Sequence, residues 1–423
     1  MSAGKGERVV TTRSTAKFLR SALLGASLSA LMATGALADV VKIGLLAPLT
    51  GPAAADGQEF QRGAQLAIDE ANAAGGINGH TFELAVGDVK DQSAGNVTSA
   101  VERLLGDPDV HFMMTGYASL TNFEIDNMAE AEMPYMLSAT SQQTKDIIAP
   151  DPAKYECCWS LTPSFDAYNT DVTTFVEKLA ADGKLQLPTK KVAIISSDNA
   201  YSKTISEGMK KTFKDKGWTI TVDELVPFGE VTDWRSILAK VRQDVPDVVI
   251  NTDYLPGNSA SFLNQFLEQP TKSLVFLQYA PSVPEFVELT KKNSNGVIYN
   301  LLGGALTTPK NPRADEVAAK YKAKYNTESG TYGVALYETV NLYLDALKKV
   351  GDPADHKAIM KALGESDKQI ASGRLKFDPA THLAMQGDDY IPITFFQIED
   401  GKRILISPEK YATGEFQTQP WMK

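Results

Sequence analysis

The sequence is poor in the residue types that build cross-linked or metal-dependent proteins, since its 423 residues include only two cysteines and four histidines. The histidines, at positions 80, 111, 356 and 382, are scattered and show no metal-ligand spacing. No nucleophile elbow of the form G-x-S-x-G occurs, and the glycines of residues 75–79 indicate a helix stop and turn rather than a phosphate loop. We therefore expect no enzymatic activity, no metal site and no cofactor.

The two cysteines, Cys157 and Cys158, are adjacent in the chain. Two adjacent cysteines cannot cross-link a domain of this size, so the fold must depend on its hydrophobic core. They also lack the C-x-x-C spacing of a redox site. Two interpretations stay open: a ring disulfide, which needs unusual backbone geometry, or a pair of small buried thiols.

Beyond residue 38 the sequence has no apolar run long enough to cross a bilayer. Residues 1–38 contain five basic residues and one acidic residue, and a mild apolar stretch (21–38) ends in Ala-Leu-Ala. This order predicts a secretory signal peptide cleaved after Ala38, and hence a periplasmic protein; an N-terminal membrane anchor is the alternative. No cysteine follows the cleavage site, so a lipid anchor is not indicated.

The chain is acidic, with a formal net charge of −10. Removing the five basic residues and the one acidic residue of the signal peptide would take this charge to −14. Such a chain is a poor binder of nucleic acid and of anionic lipid. The charge mostly serves solubility and says little about a ligand.

Short apolar segments alternate with longer amphipathic ones. Several of the short segments are apolar on both faces, which is typical of parallel strands covered by helices. The predicted strands are 40–47, 81–88, 110–115, 134–138, 191–196, 220–225, 247–252, 274–279, 296–301, 391–398 and 402–407. The predicted helices are one from 57 to Ala74-Gly75-Gly76 and then 96–105, 121–132, 166–182, 202–216, 234–244, 258–268, 313–325 and 333–349. This βαβ repetition predicts an α/β protein with doubly wound parallel sheets.

The alternation of predicted strands and helices is interrupted once, and a second series follows the interruption. A polar, proline-containing stretch (147–168) follows the fourth strand, and a second series begins at Lys190. Two similar blocks with a joint between them predict two α/β lobes.

Three segments resemble one known family. The segment KIGLLAPLTGP (42–52) is very close to the opening of the branched-chain amino-acid-type (Leu/Ile/Val-binding-like) periplasmic substrate-binding proteins of ABC transporters. The segments NAAGGING (72–79) and DYLPG (253–257) are similar to later landmarks of that family, and the resemblance covers nearly the whole chain after residue 38.

The resemblance implies the type I periplasmic-binding fold: two Rossmann-like lobes with parallel sheets flanked by helices, joined by a three-crossover hinge. The crossovers are then expected near residues 159–165, 300–305 and 374–388. The expected parts are 1–38 for the signal peptide, 39–160 plus 303–375 for lobe 1, and 161–302 plus 385–423 for lobe 2.

The resemblance also implies a function. A protein of this family captures a small molecule between its lobes and delivers it to the membrane subunits of an ABC permease. We expect the ligand to be an amino acid, or a small aromatic or aliphatic carboxylate or amide, and we expect a monomer that binds no nucleic acid. The alternative is a ligand sensor of the same fold that signals to a membrane receptor.

The residues that follow strands are the candidates for the site, because ligands of open α/β sheets bind beyond the carboxyl ends of strands. Ser119 follows the strand 110–115, and Ser138 and Thr140 end the strand 134–138. In the family, the turns after these two strands bind the carboxylate of the ligand. The resemblance therefore implies that Ser119, Ser138 and Thr140 bind a carboxylate. The alternative is that their hydroxyls only cap helices.

Aromatic residues follow the strands of the second block. Tyr201 and Tyr254 match positions at which the family closes aromatic side chains over the ligand, although ordinary packing is the alternative. Trp159 lies at the first crossover and could line the cleft or pack in the hinge.

The sequence departs from the amino-acid binders of the family at one position. They carry an acidic residue after the strand 274–279 for the ligand ammonium, whereas this chain has Tyr279, which we expect to form a cleft wall. A buried ammonium needs a charge partner. Either Asp56 or Asp253 supplies it, or the ligand has no ammonium.

Overall fold

The computed structural model describes residues 39–139 and 142–423. The predicted signal peptide and Thr140 lie outside these residues. Within them the chain forms fourteen strands and twelve α-helices. The strands are β1 Asp39–Ala47, β2 His80–Asp88, β3 Val110–Thr115, β4 Tyr135–Leu137, β5 Cys158–Ser160, β6 Lys191–Ser197, β7 Thr219–Val226, β8 Val248–Asn251, β9 Leu274–Leu277, β10 Ile298–Leu302, β11 Asp367–Ile370, β12 Gly373–Lys376, β13 Ile393–Glu399 and β14 Lys402–Ser407.

The α-helices are generally longer than the strands. They are α1 Ala54–Ala73, α2 Ala94–Leu105, α3 Glu124–Glu130, α4 Gln142–Ile148, α5 Tyr168–Ala181, α6 Ala200–Asp215, α7 Arg235–Asp244, α8 Pro256–Glu268, α9 Pro284–Thr290, α10 Pro312–Tyr325, α11 Thr331–Val350 and α12 His356–Gly364. None of these helices is both long enough and apolar enough to cross a membrane.

Two large sheets organise the described chain. The first has the order β2-β1-β3-β4-β5 and is entirely parallel. The second has the order β14-β13-β10-β9-β8-β6-β7; its strands from β6 to β10 are parallel, and β13 and β14 join antiparallel. Buried side chains on both faces of β1 and β6 explain why both sheets need helices on either side.

The chain passes between these sheets three times. It leaves the first sheet after β5, and it leaves the second after β10 so that α10 and α11 pack against α1. It then returns to the second sheet at β13. We call each sheet with its helices a lobe. The two-lobed α/β fold is therefore confirmed, while the exact lobe boundaries stay a prediction.

The sequence pattern located most elements to within three residues. It missed β5, the small β11-β12 hairpin and three helices, α4, α9 and α12, each of them nine residues or shorter. Segments this short contain too few periods of the apolar pattern to be separated from loop.

The adjacent cysteines are joined by a disulfide, so the thiol alternative does not describe this structure. Both are buried where β5 begins, among side chains of the first lobe. The ring spans neighbouring residues and therefore closes no loop of the chain.

Candidate functional site

A cavity of about 90 Å³ lies where the carboxyl ends of the two sheets face each other. Its wall takes side chains from both lobes and from the segments that join them. The lining residues are Gln92, Tyr117, Ser119, Leu120, Asn122, Ser138, Ala139, Thr162, Phe165, Tyr168, Asn199, Ala200, Tyr201, Tyr254, Tyr279, Leu301, Leu302, Thr331 and Tyr332. This is the position at which open α/β sheets bind ligands.

Tyrosine dominates this wall. Five of the six lining tyrosines form a chain of ring contacts that begins and ends in the second lobe and passes through the first, with ring centroids 5.5–5.9 Å apart. In order along this chain they are Tyr201, Tyr254, Tyr117, Tyr332 and Tyr279. Edge-to-face and tilted contacts fix the rings against one another, so the wall is apolar in area and carries hydroxyl groups at set points.

Asp56 lies directly behind this wall, in the first turn of α1. Its side chain is buried, and its two carboxylate oxygens accept hydrogen bonds from the hydroxyls of Tyr117 (2.6 Å) and Tyr279 (2.8 Å). Burial raises the pKa of Asp56 to about 7, although the two tyrosine hydrogen bonds oppose this shift. Because Tyr117 belongs to the first lobe and Tyr279 to the second, Asp56 joins the lobes through hydroxyl groups.

A second buried carboxylate follows on the same helix. Glu59 accepts hydrogen bonds from the backbone N–H groups of Gly330 (2.6 Å) and Gly333 (3.3 Å), at the start of α11. A negative charge is favourable at a helix N-terminus. Burial nevertheless raises the pKa of Glu59 to about 7, and the negative charge of Asp56 adds to this shift.

The backbone at Tyr279 explains how its hydroxyl reaches Asp56. Tyr279 has φ 60° and ψ −55°, and the N–H of Ala280 donates to the carbonyl of Gln278 at 2.6 Å, which makes a γ-turn. A γ-turn with positive φ is strained for a residue with a side chain and is typical of functional sites. The turn directs Tyr279 away from its own strand and across to the first lobe.

The two serines predicted to grip a carboxylate both line the cavity. The hydroxyl of Ser119 donates to the buried carboxylate of Glu124 and accepts a long bond from the N–H of Thr121. The hydroxyl of Ser138 shares a hydrogen bond of 3.0 Å with that of Thr339. Because α3 begins only at residue 124, Ser119 does not cap that helix.

The structure brings Tyr201, Tyr254 and Tyr279 together at the cavity, on the side of the second lobe. The hydroxyl of Tyr201 accepts from Gln278 (3.2 Å), and that of Tyr254 accepts from Gln92 (3.1 Å). The second of these bonds also crosses between the lobes. The ligand-binding role of these tyrosines stays a prediction.

Asp253 and Trp159 lie elsewhere. The oxygens of Asp253 accept from the N–H of Leu255 (3.0 Å) and the amide of Asn258 (2.7 Å), so this carboxylate organises the start of α8. The ring of Trp159 stacks on His382, with centroids 4.1 Å apart, where the chain makes its third passage. These contacts favour a structural role for each residue: hydrogen bonding at a helix start for Asp253 and ring packing for Trp159.

Several lining residues were not predicted from the sequence. Tyr117 stands two residues before Ser119, so the rule of strand ends could have found it. Tyr168, Tyr332 and Gln92 reach the cavity from a hinge segment, from the start of α11 and from the loop after β2. Only the fold brings these distant segments together.

No lysine, arginine, aspartate or glutamate is among the lining residues that the structure describes. Within the same part of the chain, no three His, Cys, Asp or Glu side chains are grouped so that they could hold a metal ion. The cavity can therefore recognise a ligand through hydroxyl and amide groups, backbone groups and aromatic area.

This two-lobed architecture with a cavity at the facing strand ends is that of a solute-binding protein. The family model described as Periplasmic binding protein matches residues 40–402, and the chain belongs to that family. A crystal structure from Silicibacter pomeroyi, provisionally described as a branched-chain amino acid ABC transporter, is 31% identical with a TM-score of 0.79. The comparison covers 91% of this chain and 100% of that one.

Two further similarities agree with this, the first with the family and the second with the fold. The Leu/Ile/Val-binding protein homolog 8 of Brucella abortus (strain 2308) is 27% identical over 418 residues, which is 94% of this chain and 97% of that protein. The branched-chain amino acid transporter substrate binding protein LivJ from Streptococcus pneumoniae, solved with isoleucine, has a TM-score of 0.71 at 22% identity. It covers 88% of this chain and 100% of that one, and at this identity it supports the fold alone.

Proposed function

We propose that the chain is the periplasmic solute-binding component of an ABC importer. It captures a small amino-acid-like or carboxylate ligand in the tyrosine-lined cavity and delivers it to the membrane subunits of a permease. The observation that carries this proposal is the cavity itself, because it lies between the strand ends of two lobes and takes its wall from both. The name of the Brucella relative, a Leu/Ile/Val-binding protein homolog, supports an amino-acid-like ligand.

The proposed mechanism is hinge closure. Ligand binds first to one lobe of an open form, and the second lobe then closes over it. Three hydrogen bonds between the lobes would form on closure: Tyr279 to Asp56, Gln92 to Tyr254 and Thr331 to Ser282. The ligand can shift the equilibrium only by as much as it prefers the closed form.

The proposal includes a location. The leader-like residues 1–38 would direct the chain to the periplasm and be removed after Ala38, leaving a monomer free to diffuse to its permease. Intact-mass measurement of the secreted protein tests the cleavage, because a chain that begins at Asp39 has a defined mass.

A thermal-shift screen tests the binding function. The purified chain is heated with amino acids, aromatic acids, aliphatic carboxylates and amides, each at about 1 mM. A ligand that binds only the folded state at 100 times its Kd stabilises it by about 2.7 kcal/mol, so its melting temperature rises measurably. Tyr254→Ala should lose this rise. A screen in which no compound raises the melting temperature would count against the proposal.

A further inference from the structure

Resting on the proposed function, we propose that the cavity selects a ligand rich in hydrogen-bond acceptors that carries no free ammonium group. The ligand class is a small organic acid or its amide, whose oxygens receive the hydrogens of tyrosine hydroxyls. Two observations carry this proposal: hydrogen-bond donors on the wall that have no acceptor, and carboxylates that all lie outside the lining of the cavity.

The first observation concerns the hydroxyl hydrogens. The oxygens of Tyr168, Tyr201 and Tyr254 each accept a hydrogen bond, from the N–H of Leu302 (2.6 Å), from Gln278 and from Gln92 respectively. A hydroxyl that accepts one hydrogen bond still has its own hydrogen to donate, and residues 39–139 and 142–423 show no hydrogen bond donated by these three hydroxyls. For Tyr201 and Tyr254 this follows from the orientation of the Gln278 and Gln92 amides, and the buried Oε1 of Gln278 has no partner in that part of the chain. Tyr168 accepts from a backbone N–H, so its hydrogen is a donor whatever the orientation of those amides.

Two more lining residues add to this set. The hydroxyl of Tyr332 makes no hydrogen bond with the described residues. The amide of Asn199 accepts from the N–H of Ser202 through its oxygen (2.9 Å), whereas its buried nitrogen has no partner in the described chain. A buried donor without a partner costs free energy. An acceptor group on a ligand would remove that cost.

The second observation concerns the carboxylates nearest the cavity. Asp56 accepts from two tyrosine hydroxyls, Glu59 from two backbone N–H groups, and Asp253 from a backbone N–H and an amide. Glu124 accepts the hydroxyl of Ser119 through one oxygen, and its other oxygen is buried without a partner in the described chain. None of these four carboxylates is among the lining residues of the cavity.

An ammonium in this cavity would therefore lose its water without gaining a carboxylate. Taking a charged group out of water without a partner costs several kcal/mol. The oxygen of an acid or an amide would instead accept hydrogen bonds from the wall. Two or three donated hydrogen bonds stabilise a carboxylate even without a cation beside it. Because the wall offers hydrogen-bond donors but no carboxylate, we expect it to bind acids and amides more tightly than ligands with an ammonium group.

Matched ligands test this inference by calorimetric titration of the full chain. Leucine, 4-methylpentanoate and 4-methylpentanamide share one side chain, and phenylalanine, 3-phenylpropanoate and 3-phenylpropanamide share another. In at least one set we expect the acid or the amide to bind at least about tenfold more tightly than the amino acid. A higher affinity for leucine or phenylalanine would overturn the inference and leave the proposed function standing.

Tetramethylammonium is included because aromatic rings can also hold a cation by their faces. Binding of this ion with no binding of the acids or amides would likewise overturn the inference. If no compound of either set binds at 1 mM, the proposed function fails together with it.

Single hydroxyl deletions test the donors themselves. Tyr201→Phe and Tyr254→Phe keep the rings but remove one donor each, and each should weaken acid binding by about tenfold. Tyr343→Phe is the matched control: its buried hydroxyl has no partner in the described chain, and its ring packs on Phe112, away from the cavity. Unchanged acid affinity in both cavity variants would contradict the assigned role.

Discussion

At the scale of single residues, the most unusual group near the cavity is the buried carboxylate of Asp56. Its carboxylate does not line the cavity but holds two tyrosine hydroxyls, one from each lobe. A carboxylate in this position fixes the direction of both hydroxyl hydrogens, so neither is left to donate to a group in the cavity. Asp56 therefore fixes the positions of Tyr117 and Tyr279 in the wall.

The pH dependence of stability tests the environment of Asp56. Its pKa is raised from 3.8 to about 7 on folding, so its contribution is fully present below about pH 4 and is lost as the pH rises through 7. The stability of the native chain relative to Asp56→Asn should therefore fall between pH 5 and pH 8. The change over this range corresponds to about two pKa units, and at 1.36 kcal/mol per unit the fall is about 3 kcal/mol.

Urea unfolding at several pH values measures this difference. The comparison with Asp56→Asn cancels most other titrations, although Glu59 loses a charged neighbour in the variant. A stability difference that stays constant or grows from pH 5 to pH 8 would show that Asp56 is not held in a desolvated site.

Sequence reasoning found much of the site at this scale, for a physical reason. Ser119, Ser138, Tyr201, Tyr254 and Tyr279 all follow strands, and parallel strands bring their carboxyl ends to one edge. The same rule does not say which groups a side chain bonds: Asp253 also follows a strand, but its carboxylate bonds the start of α8. Residues that arrive from the hinge or from a distant helix follow no such rule.

At the scale of elements, the crossing of α1 and α11 holds the first lobe together. Gly63 of α1 lies against the backbone of Gly333, and a Cβ atom at Gly63 would stand 2.0 Å from its carbonyl oxygen. The close approach also brings Glu59 to the N–H groups at the start of α11. The glycine therefore sets the distance between α1, which carries Asp56 and Glu59, and the start of α11, which carries Tyr332.

Substitution of this glycine is expected to be costly. Gly63→Ala must push the two backbones apart, and overpacking of this kind destabilises by about 1–3 kcal/mol or more. Gly95→Ala in α2 is the control, since no atom lies within 4 Å of the added Cβ, and alanine in an exposed helix gains about 0.5–1 kcal/mol. Equal unfolding free energies for the two variants would argue against the close crossing.

The elements themselves were largely predictable because most are long. The helices α1 and α11 each run for 20 residues and repeat their apolar face several times. The three-residue strands β4 and β5 contain no such repetition; β4 was found by its apolar side chains, and β5 was missed.

At the scale of the whole molecule, the chain passes three times between the lobes, and the proposed closure would turn about these passages. The composition and the apolar pattern predicted two α/β blocks, but not that α10 and α11 return to the first of them. That return was implied only by the family resemblance, because sequence order carries no information about which sheet a later helix covers. It also brings Tyr332 to the cavity.

Calorimetric titration of the full chain and of Tyr254→Ala with one compound from the thermal screen tests the central claim most directly. We predict one ligand per chain, and a loss of affinity of at least about tenfold in the variant, because the ring and hydroxyl of Tyr254 form part of the cavity wall. Unchanged affinity in Tyr254→Ala would contradict the account, since the ligand would then bind outside this cavity.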